Sequence, residues 1–316
     1  MQPSPGRAAP AWHAVDGVLL LDKPFGVSSN TALQRARRIF GARKAGHTGT
    51  LDPYATGLLP ICFGEATKFA RFLLDADKGY TATLALGATS TTGDAEGEVS
   101  PRTGVVLPEA AAVDSVLARF IGTQSQRAPL HSAIKMNGKP LYEYARRGIE
   151  VEPPVRDVTI LRLVRTAFDG PRLVVDVTCT KGTYIRALAE DIGEALGCGA
   201  YLAGLRRTST GGFDVVDALD FEALERYQPA AREAGLLGPD CLARNLPELG
   251  LDAAATAAVV DGRAIARPGI EEGLHLRLYD PDRAFLGIGE TVQGSIRPFR
   301  MMATESWRGC AIKNPT

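Results

Sequence analysis

Positions 41–60, GARKAGHTGTLDPYATGLLP, hold the densest set of residues that could do chemistry. Glycines at 46, 49 and 57 and prolines at 53 and 60 are expected to interrupt any regular element there, leaving one carboxylate, Asp52, on a rigid loop. An ionised aspartate held in this way can serve as a nucleophile or a base. It can equally be a turn former, since Asp before Pro caps turns and Gly-rich neighbours are what turns look like. The same stretch contains Gly41-x4-Gly46-His47-Thr48, one substitution from a phosphate-binding P-loop. His47 stands where that loop needs lysine, and a helical pattern rather than a strand precedes it, which disfavours a nucleotide triphosphatase. No partner carboxylate lies nearby for a glycosidase pair, and neither a Gly-x-Ser-x-Gly nor a Cys/His couple is present. His47 alone serves as readily in structure as in chemistry.

Metal and disulfide chemistry find no support in the spacing. The cysteines (Cys62, Cys179, Cys198, Cys241, Cys310) form no Cys-x-x-Cys pair and the four histidines are far apart, so free thiols and no structural metal are expected. The formal net charge is zero, which by itself argues against a nucleic-acid partner. The distribution is less even. No acidic residue falls between Asp22 and Asp52, while Lys23, Arg35, Arg37, Arg38, Arg43 and Lys44 do. Residues 124–147 carry Arg127, Lys135, Lys139, Arg146 and Arg147 against Glu143 alone, with Tyr142 and Tyr144 interleaved. Each patch alone reads as well as a solvated face. Two of one sign, compensated elsewhere by acids, suggest a surface that meets phosphates.

Elements of both kinds must position the loop. Residues 17–21 read as a buried strand and 23–26 as a turn. Ser28, Ser29, Asn30 and Thr31 offer N-cap oxygens to a helix through Phe40, with Leu33, Ala36, Ile39 and Phe40 on one face and the arginines outward. Strands are expected at 80–86, 158–164 and 173–179, a polar loop at 87–97, and an amphipathic helix at 108–120. Lys181-Gly182-Thr183 ends a strand and starts a helix with Ile185, Leu188, Ala189, Ile192 and Leu196 on one stripe. The pattern is mixed α+β and strand-rich, without regular β-α-β alternation. It changes around 236–245, after which strand candidates at 274–278 and 284–288 predict a small β-rich C-terminal domain. With 316 residues and 45% apolar content the chain has enough material for one large domain and a small one. The Pro- and Ala-rich first fifteen residues lack the features of a signal peptide, and no run approaches a membrane span, so a cytoplasmic protein is expected. Residue types and spacing alone thus define a basic surface around a constrained aspartate, and no particular reaction.

The stretch GHTGTLDPYATGLLPICFGEATKF strongly resembles the aspartate motif of the bacterial tRNA pseudouridine-55 synthases, the TruB family. Further blocks resemble the same family in the same order: LLLDKPFGVSS, KGYTATLALGATSTTGDAEG, SAIKMNGKPLYEYARRG, CTKGTYIRALAEDIG and YLAGLRRTSTGGF. The resemblance implies a pseudouridine-synthase-type catalytic domain over 16–245 after a flexible tail at 1–15, with a PUA-like domain over 246–316. An insertion at 124–150 would close over RNA. It further implies isomerisation of the T-loop uridine of tRNA, by breaking the glycosidic bond, rotating the uracil and rejoining it through C5. That reaction is redox-neutral and asks for no cofactor or metal.

By the same resemblance Asp52 is the essential carboxylate, Arg186 the arginine that pairs with it, and Tyr80 the tyrosine that stacks on the base and helps remove the C5 proton. A cation within about 4–6 Å would keep Asp52 ionised and aim it. His47, Tyr184 and Leu205 would receive the displaced nucleotide with Tyr80. Lys23, counted with the substrate-binding set, and Pro24 match a pair that supports the aspartate loop. The chain departs from the family pattern at His131, where tyrosine is common. The implied partner is the T arm of tRNA, with no membrane, no guide RNA and no obligate protein partner, the chain acting as a monomer. Two other readings are an RNA-folding protein, against which Asp52, Tyr80 and Arg186 speak, and a guide-RNA particle subunit, against which the 124–150 insertion speaks.

Overall fold

The computed structural model describes residues 12–130, 134–136, 138–149 and 151–303. His131 lies outside them. The main sheet runs in the order Gly17–Lys23, Thr56–Phe63, Ala200–Thr210, Lys78–Leu86, Arg172–Cys179, Val155–Phe168, Gly122–Arg127. Neighbours are antiparallel except Ala200–Thr210, which meets Thr56–Phe63 in parallel through Arg206 opposite Thr56 and Arg207 opposite Gly57. This is the mixed, strand-rich α+β arrangement expected from the sequence.

Helix Ser29–Phe40 begins where the hydroxyl run places it: the Ser28 side chain accepts from the Thr31 amide at 3.1 Å, and Gly41 closes the helix in the left-handed region at φ 60°. Its buried face, Ala32, Leu33, Ala36 and Phe40, packs on the sheet beside Leu59, Ile61 and Phe63. Helix Ile185–Ala195 buries Ile185, Leu188, Ala189 and Ile192 in the same core.

Two expectations are corrected. Residues 41–60 are not devoid of regular structure, because Ala45–His47 pairs with Thr56–Phe63, a strand that contains Pro60. Proline fits there because Leu20, its partner across the ladder, bonds outward to Leu219, so no ladder bond is asked of the missing N–H on that side. Residues 87–97 are not all loop, since Ala88–Ser90 pairs with Val99–Pro101. The polar turn between these short strands carries Asp94.

The C-terminal sheet runs Glu248–Gly250, His275–Tyr279, Phe285–Val292, Ser295–Met301, Ile265–Ala266, over a core of Leu251, Val259, Leu276, Leu278, Leu286 and Ile296. It is held to the main sheet by a shared apolar layer in which Val18, Leu20, Leu58 and Phe69 meet Tyr279, Phe285, Ile288 and Met302. No helix among the described residues is long and apolar enough to cross a membrane.

Candidate active site

The aspartate loop is tied down at both ends and in the middle. Ser29 Oγ donates to the Leu51 carbonyl at 2.8 Å and accepts from the Leu51 amide at 2.7 Å. The Gly26 amide reaches the Pro53 carbonyl at 2.8 Å, and the Ala55 amide the Asp52 carbonyl at 3.1 Å. Lys23, 0% exposed, donates from Nζ to the carbonyls of Pro24 (2.9 Å), Val27 (2.6 Å) and Pro53 (3.3 Å). Burial pulls its pKa down to about 8, with the Asp52 charge acting the other way. Lys23 therefore supports the loop from beneath. With no exposed surface it does not reach into the cleft, a correction to its place among substrate-binding residues.

Above the loop lies an open cleft of about 600 Å³ whose lining includes Asp52, Tyr80, Tyr184, Arg186, Leu205 and Arg207. Five of the seven residues named from sequence are thus brought together by four separate elements. Arg186, on the first turn of its helix, places Nη2 3.3 Å from Asp52 Oδ2 and Nη1 3.2 Å from Asp94 Oδ2. Its side chain is 8% exposed and that of Asp94 3%, whereas Asp52 keeps 41% of its side-chain surface open to the cleft. Asp94 is itself fixed by Thr92 Oγ1 at 2.6 Å and the Glu96 amide at 3.0 Å. Burial raises the Asp52 carboxyl above its ordinary value, Arg186 and Lys23 pull it down, and Asp94 adds to the rise. Arg186 thus favours ionisation, as expected of a cation, yet the net direction is upward.

Tyr80 stands on strand Lys78–Leu86 directly opposite Arg207 on Ala200–Thr210. Burial raises the pKa of its hydroxyl, with the neighbouring Arg207 charge acting the other way. Tyr184 is held through its backbone. Gln126 accepts from the Tyr184 amide at 2.7 Å and donates to its carbonyl at 3.0 Å, and Arg156 lies over the ring at 5.4 Å. Leu205 gives the cleft an apolar wall. His47 does not line it but lies beside it, its Nδ1 accepting from the Gly49 amide at 3.4 Å, and burial and Arg207 favour the neutral imidazole.

Asp94, Gln126 and Arg207 were not singled out from the sequence. Asp94 reads there as one of several acids balancing charge at a distance. The presence of Asp94 in the GDAEG block and of Arg207 in the LRRTSTGGF block is the signal that could have found those two. The first basic stretch is also less of a surface than its composition suggests. Lys23 is buried, Arg35 pairs with Glu225 at 2.8 Å, and Arg37 donates to the carbonyls of Ala42 and Arg43.

Three family models match the chain: "TruB family pseudouridylate synthase (N terminal domain)" over 37–185, "tRNA pseudouridylate synthase B C-terminal domain" over 186–238, and "Pseudouridine synthase II TruB, C-terminal" over 247–302. The tRNA pseudouridine synthase B of Azoarcus sp. (strain BH72) is 54% identical over 92% of this chain and 96% of its own length. That of Thiobacillus denitrificans is 50% identical over 93% and 98%. Among solved structures, a Cbf5-Nop10-Gar1 complex contains a chain of the same fold, with a TM-score of 0.72 at 24% identity, covering 96% of this chain and 93% of that one. With half or more of its residues shared with these relatives over nearly its whole length, the chain belongs to the TruB family of pseudouridine synthases.

Proposed function

We propose that the chain converts the T-loop uridine of tRNA to pseudouridine, with Asp52 as the essential carboxylate and no cofactor. The observation that carries the reading is the Asp52–Arg186–Asp94 chain of charges at the floor of an open cleft. One guanidinium spans two carboxylates, and only Asp52 presents its oxygens outward. Such an aspartate is suited to attack the sugar C1′ or the base C6, or to remove a sugar proton, and all three routes begin from the ionised form. A uridine inside a folded RNA loop reaches it only after leaving its stack, at a cost of roughly a few kcal/mol. The aromatic faces of Tyr80 and Tyr184 and the apolar Leu205 offset that cost by stacking and contact. Tyr80 also assists removal of the C5 proton once the base has rejoined.

The catalytic unit comprises 16–245, with the insertion at 124–150 closing over the RNA; Ile134, from that segment, lines the cleft. The domain over 246–316 contacts the acceptor side of the tRNA. The chain works in the cytoplasm as a monomer, without guide RNA or obligate protein partner.

The test is tritium release from C5-labelled uridine in an unmodified tRNA transcript, with purified chain in excess chelator and Asp52→Asn alongside. Release that depends on Asp52 and on a T-loop uridine is expected. Tight tRNA binding without release would replace the isomerase reading with an RNA-folding role.

A further inference from the structure

Lys78 opens the strand that carries Tyr80, its backbone paired to Thr210 on one side and to Cys179 on the other. Side chains two apart in a strand point to the same face, so Lys78 and Tyr80 stand in line, about 6.6 Å apart along the strand. Both line the cleft above Asp52. Tyr80 is buried and Lys78 half-buried, which puts the lysine on the outer side. Two carbonyls hold its ammonium in place, that of Leu74 at 3.0 Å and that of Ala76 at 2.7 Å. An ammonium carries three donors, so one N–H is left over.

Asp75, in the turn before the strand, is taken by Lys181 at 2.8 Å, and among the described residues no carboxylate forms a salt bridge with Lys78. The wall beside it carries a second cation of the same kind. Arg207 is 1% exposed, and its Nε and Nη2 donate to the carbonyls of Leu58 at 2.7 Å and Gly49 at 3.2 Å rather than to an acid. The two side chains meet over Gly49, where a Cβ would stand 3.5 Å from Arg207 Nη1 and 3.9 Å from Lys78 Cε. Arg186, in contrast, lies between Asp52 and Asp94. The floor of the cleft is thus charge-balanced and this wall is not, which leaves a positive field with a hydrogen-bond donor at its outer edge.

We propose that Lys78 binds a backbone phosphate of the RNA beside the displaced uridine, while the base lies against Tyr80. The phosphate oxygen takes the N–H that the two carbonyls leave over, a charge-assisted bond, and Arg207 adds its attraction through the wall. One strand repeat separates the two contacts, so the nucleotide is held at both ends, its phosphate at the mouth and its base within. Burial and the Arg207 charge both act against the protonated lysine, and an arriving phosphate offsets both. The inference rests on the isomerase reading of the cleft.

The test is the salt dependence of binding to an unmodified tRNA transcript by the full chain, wild type beside Lys78→Met and Lys78→Gln, with Tm measured for each. Tritium release by the wild type tests the isomerase reading and the binding curves test Lys78, so the two fail separately. Loss of one phosphate contact is expected to make the plot of log K against log salt shallower by about 0.7 to 0.9, and to weaken binding at low salt by at least about tenfold. Lys78→Gln, whose amide still donates to a carbonyl but carries no charge, is expected to lose the same slope, and it decides alone if Lys78→Met does not fold. A lysine that only braces Leu74 and Ala76 would lower Tm and leave the slope at its wild-type value, which would overturn the proposal. Transcripts with a neutral methylphosphonate on one or the other side of the target uridine locate the contact. At one of the two positions the loss of affinity seen with wild type is expected to vanish in Lys78→Gln, and equal losses in both proteins at both positions would overturn the proposal as well.

Discussion

Replacing Asp94 by Asn tests whether Arg186 is aimed by a second carboxylate. Two donors, Thr92 Oγ1 and the Glu96 amide, point at Asp94 Oδ1, while Oδ2 faces Arg186 Nη1 at 3.2 Å. An asparagine keeps its single oxygen where the two donors converge, which turns its amide nitrogen toward the guanidinium. Donor then faces donor, and a charge-assisted hydrogen bond is lost, worth about 1.5–3 kcal/mol. If that loss falls wholly on the transition state, the single-turnover rate drops roughly 10- to 150-fold. The pH profile carries a second sign. Asp94 is one of the groups that raise the Asp52 carboxyl, so removing its charge lowers that pKa. The acid limb of the rate, set by ionisation of Asp52, then moves to lower pH while the plateau falls. Tritium release with excess enzyme, measured from acidic to neutral pH beside a tRNA-binding isotherm, reads both. A wild-type plateau, or an acid limb displaced upward, would refute the reasoning.

Asp52→Ala is expected to show no turnover while retaining tRNA binding in a filter assay, and measurable isomerisation would remove Asp52 from its assigned role. Arg186→Lys should lose most of its activity, because Nη1 and Nη2 engage two different carboxylates and one ammonium does not replace a planar fork; full activity in single turnover would contradict this. Gly57→Ala combines φ +100° with a 2.2 Å clash against the Arg207 carbonyl, so thermal unfolding should reveal a loss of at least about 2 kcal/mol, and an unchanged Tm would show that the strands can part. Lys23 has its pKa lowered from 10.5 to about 8 in the folded chain, so the unfolded chain binds more protons between those values and wild-type stability rises with pH there. Urea unfolding of Lys23→Met should lack that part of the slope, and parallel curves would show that Lys23 does not titrate as placed.

Local pattern carried much of this molecule. The Ser28 cap, the apolar face of helix Ser29–Phe40 and the stripe of Ile185–Ala195 depend on neighbours within a few positions, which is why they were legible. The strands around Tyr80 and Val175 were legible for the same reason, as was the change of pattern before the C-terminal sheet. Asp52, Tyr80 and Arg186 could be proposed as candidates in advance because the motifs that carry the family resemblance lie in contiguous blocks. What a sequence does not display is which distant groups converge. Asp94 looks like one more surface acid until the turn after Ala88–Ser90 brings it under Arg186, and Lys23 looks like part of a basic patch until three carbonyls close around it. Pro60 looks like a strand breaker until its neighbour Leu20 is seen to bond outward. Residue type and spacing therefore determined the elements and set Asp52 on a constrained loop, and only the resemblance proposed it as the essential carboxylate. The tertiary structure decided which charges are buried together, because desolvation and ion pairing depend on distance in space and not along the chain.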